Sequence, residues 1–198
     1  FKQIKQYPIP NREHNPYVEA FWEWWPELYP KLQNFRMTGG EPLMDKNTFR
    51  VLDYVIDNGR PDLEMAVTTN ASVPDKLWNK FVDKVSFISE YNKLKRFRAF
   101  VSVDGWGDQA EYMRHGLDFD KMWNNVNNYL TRVDEGLVTF IVTFNMLSLP
   151  SIKKLLEGIL ELQRIHNVTK SRRDEDGNIV VYGHHKVCLL YTSPSPRD

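Results

Sequence analysis

The sequence predicts an α/β fold, because apolar segments typical of strands alternate along the chain with amphipathic segments typical of helices. Short polar loops join these segments, as in parallel βαβ units with right-handed crossovers. The chain has 198 residues, of which 41% are hydrophobic, enough to bury the core of one domain. Two architectures fit this alternation: an open doubly wound sheet, and a barrel or part of one. In both, ligands bind beyond the carboxyl ends of the strands.

In the first half of the chain, large apolar residues at helical spacing predict a helix over residues 18–25, which we expect Pro26 and Pro30 to divide or end. Apolar runs stopped by glycine or polar loops predict strands. Apolar positions three and four residues apart predict helices. On these criteria the strands are 32–38, 63–69 and 85–88, and the further helices are 45–57 and 74–81.

In the second half, residues 98–104 form a predicted strand that Gly105 ends, and residues 137–144 are nearly continuously apolar, as in a strand covered on both faces. Amphipathic helices are predicted over 119–133 and 149–166. Around the start of the first of these strands, basic residues form a cluster that could touch an acidic partner but that we expect to be a solvated loop face. These residues are Lys93, Lys95, Arg96 and Arg98.

The charge balance gives no reason to expect a polyanionic partner. The 26 Lys and Arg residues equal the 26 Asp and Glu residues, so net charge does not attract the chain to nucleic acid or to an anionic membrane. No apolar run approaches the roughly 20 residues of a spanning helix. We therefore expect a cytoplasmic protein without nucleic-acid or membrane partners.

The strongest chemical signal is the segment Thr38–Leu43, which lies between a predicted strand and a predicted helix. Gly39 and Gly40 let the backbone approach a ligand closely, and the carboxylate of Glu41, fixed by Pro42, could accept hydrogen bonds from an ammonium group. Alternatively, the two glycines only make a tight turn and Glu41 only favours the start of the helix.

Polar residues also end the next strands. Thr69 and Asn70 follow one strand, where Asn is also common turn chemistry. Ser102 and Asp104 lie on the same face of a later strand, because side chains alternate with a period of two. Their alternative interpretation is an Asp-Gly turn with an incidental serine.

In order and spacing, these motifs resemble those of radical S-adenosylmethionine enzymes, over about residues 16–166. Gly-Gly-Glu-Pro there follows the second strand of a partial (β/α)6 barrel, which is the fold the resemblance implies. Thr68–Asn70 resembles the family's Thr-Asn-Gly or Thr-Asn-Ala, Ser102–Gly105 its Ser-x-Asp-Gly, and Tyr112–Gly116 an Arg-Gly segment that often follows.

The resemblance also implies roles in binding S-adenosylmethionine. Glu41 and the glycine backbone would hold the amino group of the cofactor, and Ser102 with Thr69 or Asn70 its ribose or carboxylate. Arg114 is a candidate for the carboxylate and Asn145 for adenosine, although the usual Gly-x-Ile-x-Gly pattern before Asn145 is absent. The implied cofactor-binding residues are Gly39, Gly40, Glu41, Pro42, Thr69, Asn70, Ser102, Asp104, Arg114 and Asn145.

The activity that the resemblance implies is reductive cleavage of S-adenosylmethionine by a 4Fe-4S cluster, giving a 5'-deoxyadenosyl radical that abstracts hydrogen from substrate. The substrate, a small molecule or a peptide, is unknown, and the cluster would need an electron donor. The family's Cys-x3-Cys-x2-Cys is missing, and the only cysteine is Cys188. Either the chain begins downstream of that motif, which we expect because residue 1 is Phe, or it is a relative without a cluster.

We therefore expect residues 1–187 to be a partial core domain, truncated at both ends and inactive alone. Residues 188–198 resemble translated sequencing-adapter read-through and are expected to be a non-native tail. A rival hypothesis is a non-catalytic α/β module that binds a small ligand without a cluster. A third is a barrel enzyme such as a lyase, with Glu41 or Asp104 as its base.

Overall fold

A computed structural model describes residues 15–166, 168–173, 179–184 and 186–192, and the chain divides after Gln33 into two compact units. The first unit contains helix α1 (Pro16–Leu28) and a 3-10 turn over Tyr29–Lys31. Pro26 lies inside α1, which continues to Leu28. The prediction that Pro26 divides or ends this helix is wrong, because the helix continues through Pro26 with the loss of the one donor that proline lacks, and it ends at Leu28, before Pro30.

The second unit alternates strands with helices, as the sequence predicts. Its strands are β1 (Asn34–Met37), β2 (Arg60–Thr69), β3 (Leu94–Ser102), β4 (Leu137–Thr143), β5 (Val168–Arg173), β6 (Ile179–His184) and β7 (Val187–Thr192). Its α-helices are α2 (Lys46–Asp57), α3 (Asp75–Glu90), α4 (Asp108–Met113), α5 (Phe119–Arg132) and α6 (Ile152–His166).

Five of these strands form one sheet in the order β1-β2-β3-β4-β7, and every neighbouring pair is parallel. The order follows the chain without reversal, whereas a doubly wound sheet reverses its strand order at a switch point. Strands β5 and β6 pair antiparallel in a separate two-stranded sheet. The fold is therefore α/β and compatible with a partial α/β barrel.

The two faces of the large sheet differ in burial. On β2, Leu63, Met65 and Val67 are fully buried, whereas Glu64 and Ala66 between them are half-buried. Helices α2, α3, α5 and α6 pack side by side in chain order, as expected when successive crossovers cover one face of a sheet. The opposite face, here called the open face, carries Arg36, Glu64, Ala66, Arg98 and Phe100.

Helix α3 is longer than predicted and includes residues 85–88, which the sequence analysis assigns to a strand. That assignment is wrong. Val85 and Ile88 continue a buried stripe that begins with Trp78 and Phe81, and this stripe has helical spacing. Packing of the stripe against the sheet outweighs the preference of β-branched residues for strands.

The other elements were predicted in the right order, with differences at their ends. Strand β3 begins at Leu94, so Lys95 and Arg96 lie in a strand and not in the predicted loop. Residues 188–192 of the segment expected to be a non-native tail lie in β7. The sequence also predicts a charged turn over residues 170–178, between possible strands; residues 170–173 lie in β5, and residues 174–178 fall outside the described residues. None of the helices in the described ranges is long and apolar enough to cross a membrane.

Candidate functional site

The predicted site residues lie where successive parallel strands end. Gly39, Gly40 and Glu41 follow β1, Thr69 ends β2 and Ser102 ends β3. Asp104 and Asn145 come shortly after β3 and β4. Because neighbouring strands are parallel, their carboxyl ends meet at one edge of the sheet.

The two glycines border open space. Gly39 has a φ of +141°, a conformation that favours glycine. Gly40 has no such backbone requirement, and a Cβ added at either residue would meet no atom within 4 Å. The fold therefore explains the glycine at 39 but not the one at 40. Room for a ligand beside the turn is a reason for a glycine at position 40.

Glu41 joins the ends of the first two strands. Its Oε1 accepts hydrogen bonds from the backbone nitrogen of Leu43 at 3.1 Å and from Oγ1 of Thr69 at 2.8 Å. Its Oε2 accepts one from the backbone nitrogen of Asn70 at 2.8 Å. Pro42 is buried and begins a 3-10 turn over Pro42–Met44, which Glu41 caps. We call Gly39, Gly40, Glu41, Thr69 and Asn70 the Glu41 cluster.

The charge of Glu41 has no cationic partner among the described residues. Its three donors are two backbone amides and one hydroxyl, which carry no net charge. The side chain is half-buried, so water screens it only in part. A half-buried carboxylate beside an open glycine turn is suited to a cationic group such as an ammonium.

In the turn after β2, the side chains of Thr69 and Asn70 accept hydrogen bonds from backbone nitrogens of the turn itself. Oγ1 of Thr69 accepts from the backbone nitrogen of Ala71 at 2.9 Å, and Oδ1 of Asn70 accepts from that of Ser72 at 2.9 Å. Ala71 has a left-handed φ of 54°. Asn70 therefore performs the turn chemistry of the alternative interpretation, while its backbone nitrogen also holds Glu41.

Asp104 joins the ends of β3 and β4. Its Oδ1 accepts a hydrogen bond from the backbone nitrogen of Thr143 at 2.8 Å. Its Oδ2 lies 2.8 Å from Nε of Arg114, which follows α4, and the residue is only 8% exposed. Arg114 therefore already pairs with a carboxylate and offers a ligand only its terminal nitrogens. We call Asp104, Arg114 and Thr143 the Asp104 cluster.

Besides Pro42, two predicted residues belong to neither cluster. Asn145 makes a turn, since its Oδ1 accepts from the backbone nitrogen of Leu147 at 2.8 Å. Ser102 is half-buried, and its hydroxyl bonds to no described residue. Within the described ranges, no hydrogen bond or ion pair links the Glu41 cluster to the Asp104 cluster. The structure thus places the ten predicted residues near one edge of the sheet and joins seven of them in two separate groups.

Ligands for a metal or iron–sulfur cluster are not assembled in the described ranges. No group of three or more His, Cys, Asp or Glu side chains there could hold a metal ion. Cys188 lies in β7 and is half-buried. One cysteine cannot bind a 4Fe-4S cluster, which needs several thiolates.

The sequence alone did not show that the charged residues of β3 share a face of the sheet. Arg98 was predicted both to begin a strand and to belong to a solvated basic cluster, and it lies inside β3 together with Phe100. The missed signal is the alternation over residues 96–102, in which Phe97, Ala99 and Val101 are buried and the residues between them are not.

Comparisons of this chain with protein-family models, with curated proteins and with solved structures found no match. Its site is interpreted from residue chemistry and geometry.

Proposed function

We propose that this chain forms the part of a radical S-adenosylmethionine enzyme that binds S-adenosylmethionine. The observation that carries the proposal is Glu41, a half-buried carboxylate with only neutral donors beside two glycines that face open space. The methionyl amino group of S-adenosylmethionine is the type of cation that such a site would attract.

The order of the motifs along the sheet also supports this proposal. Gly-Gly-Glu-Pro, Thr-Asn and Ser-x-Asp-Gly follow three consecutive parallel strands that are neighbours in the sheet. In the proposed complex, Glu41 holds the amino group and the terminal nitrogens of Arg114 hold the carboxylate. The hydroxyl of Ser102, which bonds to no described residue, is left for the ribose.

The two proposed cofactors fit this chain differently. The residues of the sheet edge fit S-adenosylmethionine, whereas the single cysteine does not fit a 4Fe-4S cluster, so we assign this chain no step through the cluster. Bound S-adenosylmethionine would supply the radical chemistry. The residues of this chain would bind it, orient it and exclude water from it.

A second candidate is a non-catalytic module that binds a small cationic ligand at the same turn. The single cysteine favours this candidate, as do the three internal hydrogen bonds of Glu41, which stabilise the turn without a cofactor. Both candidates use the Glu41 cluster, so they differ in the ligand and in the chemistry that follows.

Substitution of Gly40 tests whether the turn binds S-adenosylmethionine. We expect isothermal titration calorimetry to detect binding to the 198-residue chain, a loss of affinity in Gly40→Ala, and a loss of at least tenfold in Gly40→Leu. Gly40→Ala should not shift the thermal unfolding midpoint, because a Cβ at this position contacts nothing. If the wild type does not bind, or if Gly40→Leu binds equally well, Glu41 is only a turn residue.

A second experiment separates the enzyme from the binding module. The gene would be recovered upstream of residue 1 and its extended product expressed without oxygen. If the proposal is right, the product contains about four irons and forms 5'-deoxyadenosine on reduction. A complete gene without three cysteines in Cys-x3-Cys-x2-Cys spacing, and a product without iron, would favour the binding module.

A further inference from the structure

The open face of the sheet contains a second arrangement of polar groups, on the strands themselves and before the turns that follow them. A cavity of about 280 Å³ opens there, and Arg36, Arg98 and Phe100 are among the residues that line it. Arg36 and Arg98 lie inside β1 and β3, before the turns that carry the Glu41 and Asp104 clusters.

The register of the strands places the two arginines in one row. Arg36 pairs with Ala66 and Ala66 pairs with Arg98, so all three side chains project from the same face. Neighbouring strands are about 4.8 Å apart, so the backbones of the two arginines are separated by roughly 10 Å, with the small residue Ala66 between them. The methyl group of Ala66 leaves space between two long cationic side chains.

Each guanidinium is held in place by neutral groups. Nε of Arg36 donates to Oγ1 of Thr68 at 3.0 Å, and Nη1 of Arg98 donates to Oγ1 of Thr139 at 3.2 Å. Their guanidinium carbons lie 3.9 Å and 5.7 Å from the centre of the Phe100 ring. These contacts orient both groups but leave most of their N–H donors without an acceptor among the described residues.

The surrounding charges leave the cavity positive. Arg96 also lines it, whereas its one carboxylate, Glu64, pairs with Lys95 at 2.9 Å. The hydrogen bond from Lys95, followed by the charges of Lys95, Arg96 and Arg98, lowers the pKa of Glu64 despite its partial burial. In the described part of the chain, neither Arg36 nor Arg98 forms an ion pair with a carboxylate.

We propose that the open face binds a small molecule through an anionic group, a carboxylate or a phosphate, held between Arg36 and Arg98 above Ala66. Such a group would accept hydrogen bonds from two preoriented guanidinium groups and would reduce the repulsion between them. This site does not depend on the proposed binding of S-adenosylmethionine. If both proposals hold, the anionic group belongs to the substrate.

Calorimetric titration of the 198-residue chain with inorganic phosphate and with succinate, at constant ionic strength set by chloride, tests this site. We expect the wild type to bind at least one probe, and the stronger one identifies the anion as phosphate or carboxylate. Arg36→Gln and Arg98→Gln should each weaken binding at least tenfold. Arg132→Gln is the matched control. Arg132 lies at the end of α5 and pairs with Asp83, so this variant should bind the probes as the wild type does.

Ala66→Leu separates the shape of the site from its charge. The leucine side chain fills the space between the arginines without changing any charge, so binding should fall at least tenfold. Because Ala66 is only half-buried, the circular dichroism spectrum should be unchanged. The proposal is overturned if neither probe binds, if Arg132→Gln weakens binding as much as the other two arginine variants, or if Ala66→Leu binds normally. Normal binding of S-adenosylmethionine by Arg36→Gln would show that the two sites are separate.

Discussion

Glu41 and Asp104 make the same structural connection at two places along one sheet edge. Each carboxylate follows a strand and accepts a hydrogen bond from a backbone nitrogen at the end of the next strand. The distance from the backbone nitrogen to the carboxylate oxygen is 2.8 Å in both cases, from Asn70 to Glu41 and from Thr143 to Asp104. They differ in charge compensation, because Asp104 pairs with Arg114 whereas Glu41 is bonded only by neutral donors.

This difference separates a structural connection from a binding position. The charge of Asp104 is buried and neutralised by a cation of the same chain, so it contributes mainly to stability. The charge of Glu41 is half-buried, uncompensated among the described residues and next to an open turn. A ligand can supply the cation that the chain does not.

The largest expected loss of stability is at the Asp104 cluster. Asp104→Asn should lower the free energy of unfolding by about 3 kcal/mol, because it removes a buried charge and leaves the half-buried guanidinium of Arg114 without an anion. Urea denaturation measures this loss. In a double-mutant cycle, adding Arg114→Gln should recover part of it, and strictly additive losses would show that the pair does not interact.

A smaller loss is expected at Thr69. Thr69→Val keeps the shape of a buried side chain but removes a donor to Glu41 and an acceptor for the buried backbone nitrogen of Ala71. The free energy of unfolding should fall by about 2 kcal/mol, the typical cost of an unsatisfied buried polar group. Thr69→Ser, which keeps the hydroxyl, is the control. If Thr69→Val is as stable as the wild type, or more stable than Thr69→Ser, the hydroxyl does not carry this stability.

Glu41→Gln should separate stability from binding. The amide keeps an oxygen for Leu43 and Thr69 but loses the charged acceptor for Asn70, so we expect a loss of about 1.5 kcal/mol in unfolding free energy. Affinity for S-adenosylmethionine, measured by calorimetry, should fall at least tenfold. Asp104→Asn should leave that affinity closer to the wild-type value than Glu41→Gln does. The reverse order would refute the distinction between the clusters.

The smallest effect is expected at Ser102, which lies between the two clusters in the strand order. Ser102→Ala should leave the unfolding free energy within about 0.5 kcal/mol of wild type, because its hydroxyl bonds to no described residue. Affinity for S-adenosylmethionine should fall by about 1 kcal/mol if the hydroxyl holds the ribose. A clear loss of stability without a change in affinity would assign Ser102 to the fold instead.

The sequence predicted most of the fold because the periodicity of apolar residues is a local property. The helix over 119–133 and the strand over 137–144 were located to within a residue. The strand predicted over 85–88 failed because a short apolar run fits either structure until its neighbours are known. The start of β3 was missed because the charged residues of the open face hide the alternation of that strand.

The candidate site was predicted in its residues but not in its connections. The sequence placed Glu41, Thr69 and Asp104 at strand ends, and these three lie near one edge of the sheet. It assigned Arg114 to a ligand, whereas the structure pairs Arg114 with Asp104. It gave Arg98 a place at the start of a strand and in a basic cluster, whereas only the register of three strands places it in a row with Arg36.

By itself, the sequence determined the α/β class, the alternation of elements and the turn that carries Gly39, Gly40 and Glu41. These features depend on residues close together in the chain, whose spacing sets local conformation. The tertiary structure alone decided the strand order, the partner of each carboxylate and the cavity between Arg36 and Arg98. These contacts join residues distant in the chain, and pairing and packing select them from alternatives that local patterns leave equivalent.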